Sequence, residues 1–393
     1  MIVTPLDARS GRAVRDALIG HGWDDALATD AAAGLTQTVV HLEGLDAPAI
    51  EALVPFAGTL GLELLTGADW VLLAGSTSRL AALARPWLVP PALAEVATGV
   101  GSALAAVPAP AWRVAGRSLP LDVPLIMGIL NVTPDSFSDG GRYGELESAV
   151  AHAEQMAEAG AAIIDVGGES TRPSRSAQVS ASEEQGRILP VISELARRLP
   201  GVALSVDTMK AEVARAALAE GAHIINDVTA LRYDPAIADV AAAAGAGLVL
   251  MHSRGAPLEL ASYAHAQYAH LVPEVRAELS AAVAQATARG VARESLVLDP
   301  GFGFSKRPEQ NILLADQLSA LAALGLPLLV GPSRKRFLGL VSGAGVDGRD
   351  HLSAVFCALC LERDARLFRV HDVALARDAL RLAQAFGGTF PDA

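Results

Sequence analysis

From residue 121 onward, short β-branched or Leu-rich runs alternate with long Ala-rich amphipathic stretches, and this alternation constrains the fold more than any other feature. The runs fall at 125–130, 162–166, 203–206, 223–225, 247–251, 296–298, 327–330 and 367–370. The stretches between them include 146–159, 181–198, 210–220, 235–244, 263–289, 310–324 and 351–364. Strand then helix, eight times in about 270 residues, predicts an α/β fold of the (β/α)8 TIM-barrel type. A doubly wound sheet is the rival, but it usually needs only about five or six strands. No Gly-x-Gly-x-x-Gly follows the first run, so the dinucleotide-binding fingerprint is missing.

Residues 1–120 read differently. A helix at about 10–20, strands at 36–42 and 70–74, and helices at 48–60 and 79–84 predict a small α/β N-terminal domain. It runs out in a Pro-punctuated stretch, 107–112, and carries no motif that implies chemistry. His21 and His41 stand alone there and read as solvated or structural. The expected organisation is therefore 1–120, a small domain of unassigned role, and 121–393, a catalytic barrel.

With 51% hydrophobic and 19% charged residues, the 393-residue chain can bury a large core. A net charge of −12 argues against a nucleic-acid partner or an anionic membrane surface, because both demand a basic field. The longest apolar stretches span about a dozen residues, short of the roughly 20 that a membrane span needs. The first residues lack the apolar core of a secretory signal, so a soluble, cytoplasmic protein without a membrane partner is expected. Two cysteines cannot form a disulfide scaffold. Cys357 and Cys360 sit three apart on one helix face with no further cysteines to complete a zinc site, and they read as core.

Of 31 basic residues only three are lysine: Lys210, Lys306 and Lys335. Compositional drift explains the arginines but not why three lysines persist. Lysine differs from arginine where a compact ammonium is needed in place of a planar fork. All three lie beside the motifs that follow.

In a (β/α)8 barrel the chemistry sits at the carboxyl ends of the strands. The first run leads into Asn131-Val-Thr-Pro-Asp-Ser-Phe137-Ser-Asp139, and the second into Asp165-Val-Gly-Gly-Glu169-Ser-Thr171-Arg172-Pro173. Asp207-Thr-Met-Lys210, Asn226-Asp227 and Met251-His252 end the next three. Asp299-Pro-Gly-Phe-Gly-Phe304-Ser-Lys306, Gly331-Pro-Ser333-Arg334-Lys335-Arg336 and Arg369-Val-His371-Asp372 complete the circuit. Any one of these has a plain explanation, since Asp after a strand is often a helix cap and Asn-Asp often a turn. Their convergence on one mouth does not. The ring of Asn, Asp and Lys offers donors and acceptors to a flat, nitrogen-rich heterocycle. Arg172, Arg369 and His371 suit a diphosphate, and Asn131 supplies a neutral oxygen that Mg2+ tolerates. The long loops after the first two runs mix rigid Pro with polar groups and read as substrate loops that close over a reacting centre.

Across about residues 121–388, these strings resemble the dihydropteroate synthase family, including Gly128-Ile-Leu-Asn131-Val-Thr-Pro, Asp165-Val-Gly-Gly-Glu-Ser-Thr-Arg-Pro173, Ser205-Val-Asp-Thr208, Ser333-Arg-Lys335 and Arg369-Val-His-Asp372. The resemblance implies a transferase that joins p-aminobenzoate to (7,8-dihydropterin-6-yl)methyl diphosphate, releasing diphosphate, with Mg2+ as cofactor and a homodimeric assembly. Carried over by position, Asp207, Asn226, Met251, Asp299, Gly331 and Lys335 would hold the pterin. Asn131, Arg172, Arg369 and His371 would bind the diphosphate, with Asn131 as metal ligand. Thr171, Pro173, Phe304, Ser333, Lys335 and Arg336 would shape the p-aminobenzoate pocket. Phe137 and Asp139 would join Asp207, Lys335 and Arg172 in catalysis as part of the closing first loop.

Small departures from the family pattern lie at Ser174, Ser253, Arg254, Arg307 and Gln310, and none removes an expected ligand. Two other functions share the pterin ring. A pterin-dependent methyltransferase to a corrinoid would have no use for the diphosphate-binding strings. A non-catalytic pterin-binding protein would be expected to lose Asn131 or Asp207, and both are present.

Overall fold

The computed structural model describes residues 37–85, 87–104, 110–132, 141–169, 179–345 and 348–386, with residues 19, 24–28 and 31 before them. Two compact units emerge, Met1–Val107 and Pro108–Ala393.

In the first unit, β1 (Gln37–Glu43), β2 (Glu63–Thr66) and β3 (Trp70–Ser76) form an antiparallel sheet in the order β1-β3-β2. Helices α1 (Ala47–Thr59), α2 (Thr77–Leu83) and α3 (Ala94–Leu104) accompany it. Asp46 caps α1, its side chain accepting from the Ala49 amide at 2.8 Å. Leu53, Val71, Leu73, Leu80, Leu93 and Val100 bury its apolar faces in one cluster. The strands at 37–43 and 70–76 and the helices at 47–59 and 77–83 fall where the sequence predicts them. Strand β2 and helix α3 were not anticipated. The expected helix at 10–20 lies outside the described residues, apart from Ile19.

The second unit opens with a hairpin, β4 (Ala111–Val114) and β5 (Arg117–Pro120), which begins within the Pro-punctuated stretch. Its two-residue turn places Ala115 and Gly116 at φ 43° and 79°, the left-handed pair of a type I′ turn. The hairpin belongs to the barrel unit, so that unit starts 13 residues before the expected boundary at 121.

Eight parallel strands then close the barrel: β6 (Leu125–Asn131), β7 (Ile163–Gly167), β8 (Ala203–Asp207), β9 (Ile224–Asp227), β10 (Gly247–Met251), β11 (Leu296–Asp299), β12 (Leu328–Val330) and β13 (Ala365–Val370). All eight match the runs read from the sequence. Around them run α4 (Gly141–Glu158), α5 (Ala181–Arg198), α6 (Ala211–Ala219), α7 (Ala236–Ala244), α8 (Leu271–Ala288), α9 (Pro308–Asp316), α10 (Ser319–Ala322), α11 (Arg336–Ser342), α12 (Arg349–Leu361) and α13 (Val373–Phe386). Both faces of each strand are covered, which is why the runs read as continuously apolar.

Side chains alternate in and out along a strand. At the amino ends the inward positions Met127, Ile163, Ala203, Ile224, Val249, Val297, Leu329 and Leu367 form one buried layer. Trp112, Val114 and Leu121 close it from below, and the Trp112 indole donates to the Ser295 carbonyl at 2.8 Å. The hairpin is therefore the floor of the barrel. Cys357 and Cys360 are buried free thiols in the barrel core, as expected.

Candidate active site

Stepping up the same inward positions leads from the floor to the carboxyl mouth. Strand register aligns Asn131 with Gly167, Gly167 with Asp207, and Asp207 with Asn226. Met251 pairs with Asp299 across β10 and β11. A cavity there is lined by Asp207, Asn226, Val228, Met251, Asp299, Phe302, Phe304, Gly331, Lys335 and Arg369. Every residue expected to hold a pterin lines it.

Arg369 is the hub of the cavity's charges. Its Nε donates to Asp165 Oδ2 at 2.6 Å and its Nη2 to Asp207 Oδ2 at 2.7 Å. Asn226 Nδ2 donates to the same Asp165 oxygen at 3.0 Å, which fixes the amide's orientation. Asp165 is fully buried, and its Oδ1 has no partner among the described residues. Burial pushes the Asp207 carboxyl up to about 7 against the opposing pull of Arg369, while the Asp165 charge adds to the rise. Asp299 is likewise raised by burial, to about 6, although its Oδ1 accepts the Gly301 amide at 2.7 Å and the Lys335 and Arg369 charges oppose the shift. Two elevated carboxyls in one cleft mark a functional site.

Lys335 caps the start of α11, with its Nζ 3.6 Å from the centre of the Phe304 ring. Its neighbour Arg334 turns outward at φ 58° and forks onto Asp350, with bonds of 2.9, 3.2 and 2.9 Å. Arg336 is exposed, 5.7 Å from the Tyr263 ring centre, and is not among the cavity's lining residues. The Ser333 hydroxyl accepts the His371 amide at 3.1 Å and meets His371 Nδ1 at 2.9 Å. Ser333 thus orients the histidine expected at the diphosphate.

Asn131 ends β6 at the rim. Its Oδ1 and the Asp207 Oδ2 lie 3.8 and 3.7 Å from where a Cβ on Gly167 would stand. Phe137, Asp139, Thr171, Arg172 and Pro173 lie outside the described residues. The two ends of the second loop are described. Glu169 Oε1 accepts the Val179 amide at 3.1 Å. Lys210 Nζ donates to Glu169 Oε2, the Val179 carbonyl and Glu184 Oε2 at 2.7, 2.7 and 2.5 Å. Three acceptors converge on one point, which a planar guanidinium could not serve. Arg254, one of the departures, pairs with Glu274 and Glu278 and stacks on Tyr268, 4.0 Å from its ring centre. It fastens the segment after β10 to α8.

Asp165 heads the second strand-end string but carries no expected site role; the structure makes it the buried partner of Arg369 and Asn226, on the same face as Gly167.

The sequence pattern of the family described as pterin binding enzyme matches residues 127–371. Dihydropteroate synthase of Mycobacterium leprae is 48% identical over 267 residues, covering 66% of this chain and 93% of the relative. The Escherichia coli K12 dihydropteroate synthase is 43% identical over 270 residues, or 69% and 94% of the two chains. Among solved structures, Xanthomonas albilineans dihydropteroate synthase with 4-aminobenzoic acid is 44% identical with a TM-score of 0.66, covering 71% of this chain and 99% of that one. The same enzyme with 7,8-dihydropteroate matches at 42% identity and a TM-score of 0.63, over 70% and 99%. The charged mouth and the family pattern cover the same strands, and the chain belongs to the dihydropteroate synthase family of pterin-binding transferases.

Proposed function

We propose that the mouth of this barrel joins p-aminobenzoate to (7,8-dihydropterin-6-yl)methyl diphosphate, with each described residue in the following role. Asn226, Asp299 and Lys335 hold the pterin ring in the cavity, Met251 and Gly331 bound its faces, and Asp207 stands beside the reacting methylene. Phe304 forms the wall against p-aminobenzoate. His371, oriented by Ser333, meets a diphosphate oxygen. Arg369 commits two of its five N–H groups to carboxylates, which leaves donors on Nη1 and Nη2 for the diphosphate. Arg172, Thr171, Pro173, Phe137 and Asp139 lie outside the described residues, and we assign them the roles that the resemblance implies.

The reaction breaks the bond between methylene carbon and diphosphate oxygen and forms one from that carbon to the aniline nitrogen, which then loses a proton. The aniline nitrogen is a neutral nucleophile, so no strong general base is required. As the leaving group departs, positive charge spreads from the methylene into the ring. The Asp207 and Asp299 carboxyls face that charge in a site where water does not screen it. Negative charge collects on diphosphate, where His371 and the guanidinium groups meet it.

The donor set fits Mg2+ that arrives with the substrate. Asn131 offers one neutral oxygen, and Mg2+ commonly takes one or two protein ligands while phosphates and waters supply the rest. Among the described residues no group of three or more His, Cys, Asp or Glu could form a complete cage. When bound, the metal would neutralise leaving-group charge.

A homodimer is part of this proposal. Ile312, Leu340, Val355, Leu359, Leu382 and Phe386 are exposed on α9, α11, α12 and α13, successive outer helices, and exposed apolar surface of this kind marks an interface. A cytoplasmic location fits two free, buried thiols. Among the described residues no helix is long and apolar enough to cross a membrane.

The convergence of Asp207, Asn226, Asp299, Lys335 and Arg369 on one cavity carries the assignment. Purified protein supplied with both substrates and Mg2+ should release diphosphate and form 7,8-dihydropteroate. Asn131→Ala should weaken Mg2+-dependent diphosphate binding while free pterin binds as before; equal loss of both would remove Asn131 from the metal.

A further inference from the structure

Lys306 is fully buried, yet it lines no cavity of the active site. Its Nζ lies 2.9 Å from His252 Nδ1, and the carbonyls of Phe304, Gly301 and His252 stand at 3.1, 3.2 and 3.4 Å. The segment between Asp299 and Lys306 thus curls around the ammonium of its own last residue. Gly301, Gly303 and Ser305 all take left-handed φ values, 70°, 76° and 48°. At Gly301 a Cβ would lie 1.9 Å from the His252 carbonyl, so only glycine allows this approach. Such a turn points several carbonyls inward, where each needs a donor. Lys306 Nζ faces those of Gly301 and Phe304, with that of His252 beside them, and the Gly301 carbonyl also accepts the Phe304 amide at 3.1 Å.

What this turn carries gives the buried ammonium its function. Asp299 stands at its start and Phe304 near its end, and Lys335 Nζ lies over the Phe304 ring. Asn311 braces the turn from outside: its Oδ1 accepts the Gly303 amide at 2.7 Å, and its Nδ2 donates to the Lys306 and Arg307 carbonyls at 3.1 and 2.7 Å. On the far side His252 Nε2 meets Glu278 Oε2 at 3.0 Å. Burial, and then the Lys306 charge, lower His252 to about 4, so the ring is neutral at pH 7. Burial lowers Lys306 as well, to about 7, with the Asp299 and Glu278 charges opposing the shift. A ring that accepts from the lysine on Nδ1 carries its own proton on Nε2, toward Glu278.

We infer that Lys306 is a positioning residue: its ammonium, held by His252, sets the turn that presents Phe304 to p-aminobenzoate and Asp299 to the pterin. This rests on the substrate assignments proposed above for those two residues. It accounts for the second of the three retained lysines, since a guanidinium could not sit at the centre of four close acceptors.

The test compares Lys306→Met with Val297→Ala, a change in the apolar floor layer that lowers stability without touching the turn. Both are assayed well below their melting temperatures, with Tm, both KM values and kcat recorded. Lys306→Met should raise the KM for p-aminobenzoate on the order of tenfold, because small displacements of a substrate wall are amplified in rate constants. Val297→Ala should leave both KM values at wild type. Should Lys306→Met fail to fold, His252 carries the test. Asn there keeps an acceptor at the Nδ1 position and should bind p-aminobenzoate like wild type; Leu removes it and should reproduce the KM rise. Unchanged KM values in Lys306→Met, or in His252→Leu, would overturn the inference. So would an equal KM rise in Val297→Ala, because a general loss of stability would then explain everything. A wild-type protein without turnover would instead refute the substrate assignments, so the two failures are distinguishable.

Discussion

The floor and the mouth of the barrel are built on the same strands, with the same inward alternation, and differ in what they bury. At the floor Met127, Ile163, Val249, Val297, Leu329 and Leu367 close on Trp112 with no exposed surface. Two or four residues further along, the inward positions are Asp165, Asp207, Asn226, Asp299 and Arg369. Apolar burial stabilises at about 25 cal/mol per Å². Burying carboxylates costs several kcal/mol before partners recover part of it. A protein selected for stability alone would continue the floor upward. The burden concentrated at one end marks where the chemistry is, and it separates two kinds of variant: those that disarm the mouth and those that weaken the floor.

The largest effect should come from Asp207→Asn. The amide fills the same space but cannot carry the charge that faces the methylene and Arg369. We expect kcat/KM to fall on the order of 10³-fold, about 4 kcal/mol, with the folded state retained by circular dichroism. Steady-state kinetics at saturating Mg2+ decide it. A fall below tenfold would mean that the carboxylate holds Arg369 in place and does little more.

Trp112→Ala is the mirror image. It removes a fully buried ring and its bond to the Ser295 carbonyl. Large-to-small core changes of this size cost about 3–5 kcal/mol. Chemical denaturation should show that loss, while kcat/KM per folded molecule stays within about twofold of wild type. A proportionate loss of activity would show that floor and mouth are not independent.

Lys335→Arg tests the mouth more finely. It preserves charge but replaces a compact donor with a planar fork over Phe304 and the pterin edge. A loss on the order of 10²-fold in kcat/KM, about 2.7 kcal/mol, is expected. Arg334→Lys should cost far less, because Arg334 faces Asp350 and not the cavity. Equal effects at the two positions would show that the site needs only positive charge near residue 335.

The contrast between floor and mouth was half legible in the sequence. The apolar runs announced the barrel because strands covered on both faces leave an uninterrupted hydrophobic trace. The rim residues were legible because each polar group follows directly on such a run. Asp165 is named at its strand end, but its role was not legible, since its partner Arg369 is 204 residues away. Ser333 reads as a substrate contact, and the sequence did not show that its hydroxyl also meets His371 on the next strand end, 38 residues on. The scarcity of lysine drew attention to residues 210 and 306 without saying that each gathers converging acceptors. The floor hairpin stayed hidden because its turn uses Ala115, where Asn or Asp would have announced a type I′ turn.

That hairpin decides how the chain can be shortened. The unit ending at Val107 has its own apolar cluster around Leu53 and Leu73. A chain beginning at Pro108 should therefore keep kcat and both KM values within about twofold of the full-length protein. A chain beginning at Leu121 looks equally harmless in the sequence but lacks Trp112 and Val114. It should lose at least the roughly 3–5 kcal/mol expected for Trp112→Ala, because the barrel floor opens to water. Denaturant midpoints and turnover measured on both chains separate the cases. If the chain from Pro108 folds but does not turn over, the first unit takes part in catalysis. If the chain from Leu121 matches it in stability, the hairpin is an ornament on the barrel and its floor is sealed by the strands alone.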